Sequence, residues 1–190
     1  MAWKKIATET LATATTNQTF TGLSSNKFMG ILGHIVSGVG GNTAEFRFGT
    51  GTITSTGYAF RRGIDGAIDT FSASTSVFKL HNTSAQEDKF FVSYLANFTG
   101  EDKIGIGFCV QAGSAGASNL PTRCFMVGKF VNSSQIDQIR NVSGNLQSGT
   151  NLTVLGSDGV EELNVQDGAI FYETDTNKSY VLYNNAWTEL

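Results

Sequence analysis

Two histidines, two cysteines and sixteen acids are the residues of this 190-residue chain best suited to chemistry. Their spacing argues against it. His34 lies inside the apolar run Ile31–Val36, the setting of a satisfied sheet histidine. His81 precedes Asn82-Thr83-Ser84, the setting of an exposed turn. Neither has a ligating neighbour two or four residues on, so zinc spacing is absent. Cys109 and Cys124 each sit in an apolar, strand-like segment, which predicts buried thiols rather than a disulfide framework. No Gly-x-Ser-x-Gly elbow and no phosphate-binding glycine loop occurs; Gly113-Ser114-Ala115-Gly116 is the nearest approach. Asp65 and Asp69 around Gly66, and Asp158 and Glu161 around Gly159, place loop oxygens where a hard cation takes them. Neither stretch matches a defined calcium loop. The expectation is no catalytic residue, no cofactor and no metal.

The elements that would have to position such groups are β-strands. Charged residues make up only 15 % of the chain against 22 glycines and 14 phenylalanines, with abundant Ser, Thr and Asn. That balance favours a pleated, hydroxyl-rich fold over helices. The net charge of −3 offers no basic stripe, which excludes nucleic acid as a partner. Met1-Ala2-Trp3-Lys4-Lys5 runs into a polar stretch, and no apolar run approaches the ~20 residues that span a bilayer. The chain is therefore expected to carry no signal peptide and to contact no membrane. Its Asn-x-Ser/Thr sequons follow from composition, so glycosylation is not expected.

Short apolar runs separated by turn residues predict an all-β, jelly-roll-like β-sandwich over residues 1–157, with 1–13 as an arm or first strand. The expected strands are Gln18–Leu23, Lys27–Ser37, Ala44–Phe48, Gly57–Arg62, Ser76–Leu80, Lys89–Phe98, Lys103–Gln111, Arg123–Val131, Gln135–Val142 and Asn151–Leu155. In Ile104-Gly105-Ile106-Gly107-Phe108 the large residues take one face and glycine the other, so another chain segment should pack closely on the glycine side. The small-residue loop Gln111–Thr122 reads as an exposed connection, with Ser114, Ser118 and Asn119 as contact-loop candidates.

Residues 158–167 read as a linker. Beyond it, Ala169–Glu173, Ser179–Tyr183 and Ala186–Leu190, joined by Asn- and Asp-rich turns, predict a small C-terminal three-stranded β-meander over 168–190. Its apolar residues fall on both faces, Phe171, Val181 and Tyr183 alongside Ile170, Tyr172, Tyr180 and Leu182. Some 23 residues cannot bury two faces alone. Phe171, Tyr172, Tyr180, Tyr183 and Trp187 are accordingly assembly candidates, and Trp3 is a further one, as the anchor of an N-terminal arm that docks on a neighbour.

The stretch from Gly168-Ala-Ile-Phe-Tyr-Glu to Asn-Asn-Ala-Trp-Thr-Glu-Leu190 resembles the meanders that end phage fibre and virion surface proteins. The body is similar to β-sandwich virion proteins in Gly57-Tyr58-Ala59-Phe60-Arg61, Tyr94–Asn97, Arg123–Ile136 and Gly149–Gly156. The resemblance implies a structural role in a virion: a head decoration protein, head fibre or capsid protein, self-associating as a trimer and touching other capsid or tail proteins. A tail fibre or receptor-binding protein, with a host-surface glycan as partner, is the second expectation. A carbohydrate-binding module using Tyr58 or Trp187 is the third.

Overall fold

The computed structural model describes residues 3–24, 26–81, 86–113, 116–158, 168–184 and 186–190. Within them the chain forms strands and no helix. In order these are β1 (Lys4–Thr10), β2 (Gln18–Phe20), β3 (Phe28–Ile35), β4 (Ala44–Thr50), β5 (Thr52–Ile53) and β6 (Tyr58–Ile64). Next come β7 (Thr70–Thr75), β8 (Phe78–His81), β9 (Lys89–Ala96), β10 (Lys103–Gln111) and β11 (Thr122–Phe130). The last are β12 (Gln138–Asn141), β13 (Asn151–Ser157), β14 (Ile170–Glu173), β15 (Lys178–Tyr183) and β16 (Ala186–Glu189). The chain divides into two compact units, one holding the first thirteen strands and one the last three.

The first unit is a sandwich of two antiparallel sheets. Take β1, β2, β3, β4, β8, β9, β12 and β13 as a series of eight. The first, eighth, third and sixth lie side by side as β1-β13-β3-β9, and the second, seventh, fourth and fifth as β2-β12-β4-β8. Such wrapping of a long hairpin over two sheets is jelly-roll connectivity. Strands β10, β11, β6 and β7 extend the first sheet to eight strands, and β5 folds back on the end of β4.

Alternation decides which side chains meet between the sheets. Met29, Ile31 and Ile35 of β3, Phe91 and Leu95 of β9, and Leu152 and Val154 of β13 face Phe46 and Phe48 of β4, Leu80 of β8 and Ile139 of β12, all buried. Phe46 meets Phe91 across the gap with ring centroids 5.1 Å apart, and Phe48 meets Phe130 at 5.9 Å. Burying each such side chain contributes about 1.5–3 kcal/mol. The close approach expected on the glycine side is present. A Cβ on Gly105 would stand 3.1 Å from Phe78 Cζ, one on Gly128 2.8 Å from Phe78 Cε2, and one on Gly107 would overlap Leu80 Cδ2.

Two strands escape the sequence reading. β7, Thr-Phe-Ser-Ala-Ser-Thr, has one large apolar residue because it is an exposed edge strand. β5 is only two residues long. Residues 4–10, within the stretch expected as an arm or first strand, form the first strand, paired to β13.

The glycine floor generates a stability prediction. Gly107→Ala pushes a methyl group into Leu80 and should lower stability by about 1–3 kcal/mol. A urea unfolding midpoint indistinguishable from the parent would show that β8 does not rest on Gly107.

Candidate interaction surface

Large side chains that leave the core of the first sheet have to go to its other face. The registers of β3, β9, β10, β11, β6 and β7 arrange that outer face as four rows. Row one runs Phe28, Ala96, Ile104, Lys129, Ala59; row two runs Gly30, Tyr94, Ile106, Val127, Arg61, Phe71. Row three runs Leu32, Val92, Phe108, Phe125, Gly63; row four runs His34, Phe90, Val110, Arg123. At the outward positions of β9, β10 and β11 only Lys129 and Arg123 carry charge. Ile104 is 60 % exposed, Phe90 and Phe108 53 %, and Phe71 on β7 76 %. The strands that are glycine inside are isoleucine and phenylalanine outside, so hydrophobic volume is turned away from the core.

Rows one and two form an open groove of about 780 Å³. Its floor is Ile104, Ile106, Val127, Ala59 and Ala96, and its walls are Trp3 with Phe28 on one side and Phe71 on the other. Trp3 reaches this face by lying across Gly30 against Tyr94, ring centroids 5.7 Å apart. The expected anchor therefore sits 39 % exposed on its own sheet. Phe108 and Phe125, 5.1 Å apart, rise as a ridge beside the groove in row three.

Most ionisable groups at the rim have a partner within the chain. Lys129 Nζ lies 3.5 Å from Asp102, His34 Nε2 3.8 Å from Asp88, and Arg61 4.0 Å from Asp69 while its guanidinium caps Phe71. Asp65 Oδ1 accepts a 2.8 Å hydrogen bond from the Arg123 backbone N–H. The carboxylates of the Asp65–Asp69 turn thus already have cationic or amide partners. Asp158 likewise accepts from Asn26 Nδ2 and Lys27 N, both 3.1 Å, while Gly159 and Glu161 lie outside the described residues. Among the described residues no group of three or more His, Cys, Asp or Glu is placed to hold a metal ion.

The second unit presents apolar surface on both sides. Its register puts Phe171, Tyr180, Leu182 and Trp187 on one face and Ile170, Tyr172, Val181 and Tyr183 on the other. This corrects the expected grouping of Phe171 with Val181 and Tyr183. On the first face the aromatic rings cluster, Phe171 lying 5.9 Å from Trp187 and 6.2 Å from Tyr180, with Lys178 bonded to Glu189 at 2.9 Å. On the second, Ile170 is 71 % and Tyr183 68 % exposed. Ser118 and Asn119 are exposed in their loop, and Ser114 lies outside the described residues.

The histidines exchange the roles expected of them. His34 is out of phase with Ile31, Gly33 and Ile35 and points outward, whereas His81 ends β8 beside a bulge in the β4–β8 register and is fully buried. Tyr58, the candidate sugar platform, is also buried: Phe48 N–H donates to its Oη at 2.7 Å and the hydroxyl donates to the Thr54 carbonyl at 3.1 Å. Sequence reasoning missed two further buried cations. The Lys103 ammonium donates to the Phe98 and Glu101 carbonyls, and Lys89 Nζ to Asn42 Oδ1 at 2.8 Å. Burial pulls both lysines below their usual pKa. The two thiols lie buried opposite one another, pushed by burial up to about 12 for Cys109 and about 11 for Cys124, far from the thiolate form that reacts.

Burial, with Lys89 and Arg62 nearby, lowers the His81 pKa to about 4. The unfolded chain, titrating near 6.5, then binds a proton that the folded chain refuses. Stability from this site should be full above about pH 6.5 and fall by up to about 3 kcal/mol as the pH drops to about 4. Urea midpoints between pH 7 and 4.5 should show that fall, and His81→Gln should flatten it. An equal slope in the variant would assign the loss to other groups.

The chain matches no protein-family model, no curated protein and no solved structure, so what it is built to do rests on its own surfaces.

Proposed function

We propose that this protein is a structural component of a virus particle surface, a decoration protein, head fibre or capsid protein that works by apolar contact rather than by catalysis. The observation that carries the reading is the direction of the large side chains. Phe90, Ile104 and Phe108 on the body and Ile170, Tyr172 and Tyr183 on the meander point to solvent. Ordinary monomers seldom expose contiguous apolar patches beyond a few hundred Å². The resemblance of the meander to phage fibre ends supports the viral setting. The meander holds copies together through its Ile170–Tyr183 face, and a threefold contact suits so short a sheet because each copy then covers another.

A glycan-binding reading is weaker. The groove offers aromatic rings but almost no hydrogen-bonding groups, and the buried Tyr58 is not available as a platform.

Light scattering on the full chain at micromolar concentration should give a mass that is a multiple of three, and Tyr172→Lys should remove that factor. Antibody against the protein should label particles whose genome encodes the chain. Bare particles would refute the virion role, and sugar-specific binding on a glycan array would favour the module instead.

A further inference from the structure

Resting on that assembly reading, we infer that the outer face of the eight-stranded sheet is covered by the same face of a second copy of this chain, sheet on sheet. The area is sufficient. Strands about 4.8 Å apart, with outward residues about 6.8 Å apart along them, make the four rows a face of roughly 30 by 20 Å. Side-chain relief carries its accessible area from this ~600 Å² projection toward the ~800 Å² that each partner gives a standard interface.

Edge-on association is blocked. Both edge strands of the sheet are irregular: the β1–β13 register shifts between Lys5 and Ala7, and the β6–β7 register shifts between Tyr58 and Phe60, with Ser74 of β7 at φ 55°. Bulges of this kind twist an edge away from pairing. Growth is therefore face-on.

Charge selects a like partner. Lys129 and Arg61 each have a carboxylate of their own chain within 4.0 Å, and the Arg123 backbone N–H holds the Asp65 carboxylate at the same corner as its guanidinium, so the face presents little net field to attract an acidic or basic stranger. An uncharged apolar surface with a self-neutralised rim is complementary to itself.

Shape sets the orientation. The groove occupies rows one and two, and in rows three and four the ridge of Phe108 and Phe125 stands between it and a second hollow of about 600 Å³ bounded by Gly63, Arg123 and the Asp65–Asp69 turn. Rotation by half a turn about an axis across the strands, between rows two and three, keeps each strand over its counterpart and exchanges the rows. The ridge of one copy then enters the groove of the other, twice, as an isologous contact requires. The corner carrying Lys129 and Asp102 comes to face the corner carrying Arg123 and Asp65, two cations with two carboxylates.

The contact contributes a factor of two to the mass, where the meander contributes three, so the two readings separate. The parent should weigh six chains. Ile106→Lys on the groove floor and Phe108→Lys on the ridge should each remove the factor of two, weakening association at least tenfold, with the β circular dichroism spectrum unchanged. Thr52→Lys, exposed on the other sheet, should leave the mass alone. Mixed Ile106→Cys and Phe108→Cys proteins, oxidised by copper–phenanthroline with molecular oxygen as the electron acceptor, should cross-link to each other faster than either does to itself. A mass of three insensitive to Ile106→Lys would overturn this inference and leave the meander contact standing. A mass of two lost in Phe108→Lys would support it and remove the threefold. A monomer at 50 µM would overturn both.

Discussion

The contact of Phe78 and Leu80 on β8 with the glycines of β10 and β11 sets the separation of the two sheets, and much else depends on it. Gly105, Gly107 and Gly128 leave no Cβ in the way. The short fifth strand of the jelly roll can therefore sink close to the extended part of the eight-stranded sheet and close the sandwich there. Alternation then exacts a consequence. A strand that is glycine on one face must place its apolar volume on the other, so Ile104, Ile106 and Phe108 are carried outward by the same register that seats Leu80. The tight interior and the apolar exterior are two sides of one arrangement.

The ends of the sandwich are held by polar groups rather than by more apolar packing. Asn97, fully buried, accepts from Ile136 N at 2.7 Å and donates to the Asn26 carbonyl at 3.0 Å, joining three segments distant in sequence. Lys103 gathers carbonyls of the β9–β10 turn, and Lys89 binds Asn42 near the opposite end of the same hairpin. Irregular backbone without a ladder partner is costly to bury. Asn97 supplies a donor where the chain crosses from β2 in one sheet to β3 in the other, and Lys103 supplies donors inside the β9–β10 turn. Their cost is visible in lysines and a histidine held away from their ordinary protonation behaviour by burial.

Much of this was legible in the residues. Alternating segments between glycine and asparagine turns marked most strands to within a few positions, and the meander, with Asn177 and Asn184 at positive φ in its turns, was predictable as a unit. The glycine rows announced a close neighbour. Individual sites were less legible. His34 and His81, Tyr58 and Trp3 all lie near strand ends or in apolar runs, where the phase of the alternation, not the neighbours in sequence, decides between core and solvent. A shift of one residue reverses the outcome. The bulge beside His81 is such a shift, and the sequence carries no mark of it.

Composition and period-two patterning, by themselves, determined that the chain is all-β, that it ends in a meander with two apolar faces, and that its histidines and cysteines lack the spacing of a metal or catalytic site. Those properties are local: they follow from residue type and from neighbours a few positions away. Only the tertiary structure decided that Phe90, Ile106, Phe108 and Val127 form one surface, that Trp3 lies over Gly30, and that Lys129 and Arg61 find carboxylates at the rim. Such facts depend on which strands become neighbours. Pairings as distant as β1 with β13 or β6 with β11 are set by closure of the whole sandwich, and no single segment records them.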